Sequence, residues 1–137
     1  MKVVLAEKPS VARDIARVLG CRTRADGYVT GNGYAVTWAF GHLVAIAEPA
    51  LMNPAWTKPW RKEQLPMVPP KWKYEVTADG KKQFAIIKKL LTASETAEII
   101  AATDAGREGE HIFRLIYERS GSKKPVKRLW IRSLTDE

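Results

Sequence analysis

The stretch Glu98-Ile99-Ile100-Ala101-Ala102-Thr103-Asp104-Ala105-Gly106-Arg107-Glu108-Gly109-Glu110-His111-Ile112-Phe113 reads as a strand that turns into a helix. Ile99 to Ala102 is an apolar run of strand length. Small and charged residues follow, and then Ile112, Leu115, Ile116 and Arg119 fall at helical spacing with Phe113 beside them, which gives one apolar face. The strand is therefore expected over Glu98 to Thr103 and the helix over Glu108 to Arg119. Asp104 then lies just past the carboxyl end of a buried strand, and Glu108 and Glu110 in or near the first turn of the helix. In open α/β sheets that crevice is where ligands bind. Three carboxylates crowded there repel one another unless a cation joins them, and Mg²⁺ fits one or two carboxylates plus waters and phosphate. A plainer reading stands beside this one for Glu108 and Glu110, because acidic residues at a helix start are favoured by the helix dipole alone. Gly106 and Gly109 let backbone approach a ligand closely. The chain has no G-x-x-x-x-G-K-[ST] element, which excludes a P-loop.

The amino-terminal stretch has the same form. Lys2 to Ala6 reads as a buried strand, and Glu7-Lys8-Pro9-Ser10 follows it. Pro9 disfavours helix at Lys8. Ser10 is a good N-cap for a helix from Val11 to Leu19, with Val11, Ile15, Val18 and Leu19 inside and Gly20 as the stop. Glu7 is thus a second carboxylate at the end of a strand that feeds a helix. If the two strands are neighbours in a parallel sheet, Glu7 and Asp104 meet at one edge. Lys8 is either a plain surface lysine or a group that holds a phosphate oxygen.

Between these units, Arg22 to Asp26 is polar and loop-like, and Tyr28 to Trp38 reads as a β-hairpin turning at Asn32-Gly33. Gly31 and Gly33 lack the third glycine and the following helix of a dinucleotide fingerprint. His42 follows the hairpin, as a structural histidine or one placed to meet a phosphate. From Pro49 to Pro70 six of the eight prolines cluster, among Trp56, Trp60, Arg61 and Lys62, with Lys71-Trp72-Lys73-Tyr74 next. That composition is an extended loop. Basic residues interleaved with aromatics track a single nucleic-acid strand by charge and stacking; the competing reading is a loop that pins its tryptophans onto the core or another domain. Lys81 to Leu91 is a helix with Phe84, Ile87, Lys88 and Leu91 on one face. Val126 to Ile131 is a last strand. Ser133 to Asp136 has capping-box spacing, and because Glu137 follows at once, the chain reads as part of a longer protein.

Bulk properties agree. A chain of 137 residues suits one domain, 1–137, with its own core. A net charge of +8, from 23 basic against 15 acidic side chains, favours a polyanionic partner, nucleic acid first and anionic lipid second. The lone Cys21 allows no internal disulfide and points to a reducing compartment. No apolar run has the length of a membrane span or a signal peptide.

Ala6-Glu7-Lys8-Pro9-Ser10-Val11-Ala12, Thr37-Trp38-Ala39-Phe40-Gly41-His42-Leu43, Ala102 to Glu110 and Leu129 to Glu137 together resemble the amino-terminal Toprim domain of type IA DNA topoisomerases, the topoisomerase III branch most closely. The likeness runs in order through nearly the whole chain. It implies an α/β fold of Rossmann-like, Toprim type: a mostly parallel central sheet flanked by helices, with the β-hairpin as an insertion. It implies Mg²⁺ held by Glu7 and by a D-x-D-x-E cluster whose first aspartate is Asp104 and last glutamate Glu108. The middle aspartate is replaced by Gly106, which removes one ligand, and Glu110 is the substitute at hand. Lys8 matches a lysine that positions the scissile phosphate, and Arg107 and His42 match positions near the DNA. The chemistry implied is ATP-independent cleavage of one DNA strand by a tyrosine, strand passage and resealing, with Glu7 as acid or base and Lys8 beside the phosphate. That tyrosine lies in a later domain; Tyr28, Tyr34, Tyr74 and Tyr117 match none of its motif, so the fragment alone is expected to be inactive. The implied partners are single-stranded DNA segments and the remaining domains of the same enzyme, with no membrane, in a bacterial cytoplasm at the nucleoid. The alternatives are a nuclease- or primase-type Toprim domain and a basic nucleic-acid-binding module without chemistry.

Overall fold

The computed structural model describes residues 1–131 and residue 133. Its strands are β1 (Lys2–Ala6), β2 (Thr23–Ala25), β3 (Tyr28–Gly31), β4 (Tyr34–Trp38), β5 (Val44–Ile46), β6 (Tyr74–Val76), β7 (Glu98–Ala102) and β8 (Val126–Arg128). Its helices are α1 (Pro9–Val18), α2 (Pro49–Met52), α3 (Lys81–Thr92) and α4 (Arg107–Ser120), with 3-10 turns at Pro54–Trp56, Lys62–Gln64 and Ala78–Gly80. Six strands form the main sheet in the order β2-β3-β4-β1-β7-β8, and β5 pairs with β6 in a small one. The pairs β1–β4, β1–β7 and β7–β8 are parallel, and β2–β3 and β3–β4 antiparallel. The fold is the expected α/β arrangement of a mostly parallel sheet flanked by helices.

Strand order and helix placement follow from one rule. From β1 the chain crosses to β4 on one side; from β4 it crosses back past β1 to β7, and on to β8. Parallel crossovers are right-handed, so reversing direction puts α1 on one face of the sheet and α3 and α4 on the other. The side chains of β1 divide accordingly. Val3 and Leu5 pack with Ile87 and Leu91 of α3 and Phe113 and Ile116 of α4. Val4 and Ala6 pack with Ala12 and Ala16 of α1. A strand covered on both faces has no polar side, which is why β1 reads as an unbroken apolar run. Each fully buried Val or Leu here contributes about 1.5–3 kcal/mol relative to exposure.

The hairpin turns where expected, with positive φ at both Asn32 (49°) and Gly33 (79°), the geometry whose twist matches that of the flanking strands. Several local expectations are corrected. Thr23–Ala25, read as loop, is a strand; it lies at the sheet edge with exposed side chains, so only backbone pairing holds it. Helix α1 begins at Pro9 with Lys8 as N-cap, and Ser10 makes no cap bond; proline at the first helical position loses only an N–H with no intrahelical partner. Val18 is 58% exposed, and Ala12 and Ala16 take the innermost places. On α3 the buried face includes Gln83 and excludes Lys88. The Gln83 amide donates to Trp38 O (2.8 Å), Gly27 O (3.1 Å) and Thr37 Oγ1 (3.2 Å), which locks α3 to β4. The Pro49–Pro70 segment is extended for the most part, with one short helix and two 3-10 turns. Strand β8 ends at Arg128 rather than Ile131. The capping-box reading of 133–136 lies, Ser133 apart, outside the described residues, as does Arg132. Among the described residues no helix is long and apolar enough to cross a membrane.

Candidate functional site

The sheet's strand order reverses at β1, so the crevice at its carboxyl end is bounded by the ends of β4 and β7. Such a switch point is where open α/β sheets bind ligands. In the β1–β7 register Ala6 faces Ala102. One residue later the chains leave the ladder, Glu7 toward α1 and Thr103-Asp104 toward α4. The Asp104 N–H donates to Glu7 Oε1 at 3.3 Å, joining residues 97 positions apart. On the other flank the Ala39 N–H donates to Ala6 O at 2.9 Å. That bond carries the loop holding His42 over the same end of the sheet.

Glu7 is the perturbed acid of this group. Burial pushes its carboxyl above the ordinary 4.5. Side-chain hydrogen bonding with Asp104 and the Asp104 charge push the same way, while the Asp104 N–H and the Lys8 charge pull back only in part. A carboxylate pair that resists double ionisation is a place where a cation is favourable. Lys8, exposed, follows Glu7 at the N-terminus of α1, and its carbonyl accepts from the Ala12 N–H at 3.1 Å. Arg107, also exposed, opens α4. Both helices therefore aim their positive ends at the crevice.

Not every predicted residue converges. Glu108 is 80% exposed on its side chain and turns toward His42, with Nε2 3.4 Å from Oε1. Among the described residues no group of three or more His, Cys, Asp or Glu is arranged to hold a metal ion. Glu7 and Asp104 fit the minimal carboxylate set for a Mg²⁺ whose remaining ligands are waters and phosphate; they do not form a closed protein cage.

Glu110 is committed elsewhere. Its carboxylate accepts from Arg114 Nε at 2.9 Å and from Arg128 Nε at 3.1 Å, with a second, shorter contact from Arg128 Nη2. Burial raises its pKa, but the bonds from Arg114 and Arg128 outweigh burial and leave it below 4.5. Glu110 is thereby engaged by two arginines.

Arg128 is a residue that sequence reasoning missed. From the end of β8 it donates to Thr103 O (2.6 Å) and Thr103 Oγ1 (3.1 Å) as well as to Glu110. It clamps the residue before Asp104 to the first turn of α4. The available signal was a cation ending a short parallel strand beside a strand that ends in acids. Gly109 was also misread. A Cβ there would lie 2.0 Å from Asp104 O, 2.7 Å from Asp104 C and 2.8 Å from Asp104 N. The close approach is to the backbone of Asp104, not to a ligand. At Gly106 a Cβ meets nothing within 4 Å.

The chain is similar to known proteins along almost its whole length. The Toprim domain family matches residues 2–134. The chain is 53% identical over 136 residues to DNA topoisomerase 3 of Shouchella clausii, covering 99% of this chain and 18% of that protein. It is 51% identical over 133 residues to DNA topoisomerase 3 of Staphylococcus epidermidis, covering 97% and 19%. It is 51% identical over 135 residues to DNA topoisomerase 3 of Bacillus thuringiensis, covering 98% and 18%. The chain thus spans less than a fifth of the length of these relatives.

Proposed function

This chain belongs to the Toprim domain family, and from that premise we propose that residues 1–137 are the metal- and phosphate-handling domain of a type IA DNA topoisomerase of the topoisomerase III branch. The observation that carries the reading is the contact between Asp104 N–H and Glu7 Oε1. It ties the backbone of one acidic residue to the carboxylate of the other at the switch point of the sheet, where Lys8 and the N-termini of α1 and α4 also lie. The relatives named DNA topoisomerase 3 supply the reaction class.

Glu7 and Asp104 would hold Mg²⁺, with Glu108 reaching it once released from His42. When bound, the ion neutralises and orients a phosphodiester. Lys8 meets a non-bridging phosphate oxygen, and a cation fixed there stabilises the charge that develops as the bond breaks. Glu7 serves as acid or base toward the leaving deoxyribose oxygen; its raised pKa belongs to the metal-free site, because a bound cation favours the ionised carboxylate. Arg107 and His42 contact the DNA backbone on either flank. The attacking tyrosine comes from a segment outside residues 1–137, so this domain alone does not break strands. The substrate is single-stranded DNA, the remaining domains of the same enzyme are the other partner, and the setting is the bacterial cytoplasm at the nucleoid.

The test is Glu7→Gln and Asp104→Asn in the full-length protein, with strand cleavage, relaxation and thermal melting measured side by side. Both variants should keep their fold and lose relaxation by about 10²-fold or more. Relaxation at the unmodified rate in both would overturn the assignment and leave a basic module that only grips nucleic acid.

A further inference from the structure

Residues 47–73 leave the main body between β5 and β6 as an arm closed at its base by the Ala47 N–H, which donates to Lys73 O at 2.8 Å. Two of its three tryptophans are not pinned on the core. Trp60 is 50% exposed and Trp72 is 48% exposed. The arm is nonetheless ordered by its own polar bonds. Trp60 Nε1 donates to Trp56 O at 3.0 Å, the Gln64 amide donates to Ala55 O at 2.9 Å, and the Arg61 N–H donates to Gln64 Oε1 at 2.9 Å. The indole of Trp60 thus has its one donor satisfied within the arm while the residue stays half exposed. Lys58 Nζ lies 5.2 Å from that ring's centroid, although Glu48 also approaches it at 3.7 Å. Over the whole arm Lys58, Arg61, Lys62, Lys71 and Lys73 stand against only Glu48 and Glu63.

The strand that follows the arm leads toward the switch-point crevice. Tyr74, first residue of β6, has its ring 6.5 Å from that of His111, and His111 lies 6.3 Å from His42, the partner of Glu108. Beside the arm's base a cleft of about 370 Å³ opens between Lys71-Trp72-Lys73 and the Leu115–Arg119 side of α4.

We infer that residues 47–73 are a grip for single-stranded nucleic acid, with Trp60 and Trp72 as stacking platforms and the flanking lysines and arginine on phosphates. This rests on the reading that the chain acts on DNA, and it says which surface holds the strand outside the crevice. Preset aromatic faces next to cations bind a strand whatever its sequence, because every base offers a π-face. An apolar docking face for another part of the polypeptide has no need of cations beside its aromatic rings or of so basic an arm.

The test uses the full-length protein and a fluorescent oligothymidylate, read by anisotropy in EDTA so that no divalent cation enters. Trp60→Leu and Trp72→Leu should each weaken binding by about 5- to 150-fold, while Trp60→Phe and Trp72→Phe stay near the unmodified affinity. Lys58→Ala and Arg61→Ala should each lower the slope of log K against log salt by about 0.7. Leucine that binds as well as phenylalanine would overturn the grip and mark an apolar docking face. Should the leucine variants fail to fold, an unchanged salt slope in Lys58→Ala and Arg61→Ala would overturn it equally. The cleavage reading is decided by relaxation in Glu7→Gln and Asp104→Asn and the arm reading by binding in the Trp60 and Trp72 variants, so loss of one and loss of the other are separate results.

Discussion

Gly109→Ala probes how the acid pair is held. The added Cβ would sit 2.0 Å from Asp104 O and within 2.8 Å of Asp104 C and N, against 3.4 Å for the start of ordinary contact. All three atoms are backbone, so no side chain can swing away. Either Asp104 or the first turn of α4 must move by roughly 1.4 Å, the gap between those two distances. Overpacking of this kind costs about 1–3 kcal/mol, and alanine in place of glycine in a helix returns up to about 1 kcal/mol. The net loss of stability is therefore about 0–3 kcal/mol. The site suffers more, because a misplacement of about 1 Å costs on the order of 10²-fold in a positioned reaction. Urea denaturation gives the first quantity and oligonucleotide cleavage by the full-length protein the second. A carbon-13 titration of Glu7 gives a third that needs no metal: as Asp104 leaves, the Glu7 pKa should fall toward 4.5. Gly106→Ala is the control, since its Cβ meets nothing within 4 Å. If the two alanine variants cleave alike and share one Glu7 titration curve, Gly109 does not set the position of Asp104.

Asp104→Asn removes the neighbouring negative charge and should lower the Glu7 pKa while burial keeps it above 4.5; a curve identical to the unmodified protein's would mean the pair is not coupled. Glu110 has its folded pKa below its unfolded value, so its stabilisation is complete above about pH 4.5 and disappears as pH falls through the folded pKa. Urea midpoints should therefore drop more steeply on acidification in the unmodified protein than in Glu110→Gln, and parallel curves would show that the Arg114 and Arg128 bonds contribute nothing measurable. Gln83→Leu removes the donor that satisfies Trp38 O and should cost about 1–3 kcal/mol in urea denaturation. A neutral result would place that carbonyl in contact with water.

What could be read from the chain, and what could not, separates along one physical line. Strands β1 and β7 announce themselves because both faces of each are covered, which leaves no polar residue in the run from Val3 to Ala6 or from Ile99 to Ala102. The same two strands carry Glu7 and Asp104 to one edge once they are taken as parallel neighbours, so the heart of the site is a consequence of burial pattern and topology. Strand β2 escapes such reading because an edge strand with exposed side chains asks only for backbone pairing, and Thr23-Arg24-Ala25 has no pattern to show. Glu108 and Glu110 escape it for another reason. Two residues apart at the start of one helix, they are equivalent to any local rule, and the helix dipole welcomes both. What distinguishes them is Arg128, 18 residues beyond Glu110, which reaches it only because β8 lies beside β7. The same clamp holds Thr103, the residue before Asp104. The helix-start acid that looked available as a ligand is thus spent on fixing the strand end from which Asp104 projects. The bridge from Glu110 to Arg128 is one that the helical pattern around Glu110 gives no reason to expect.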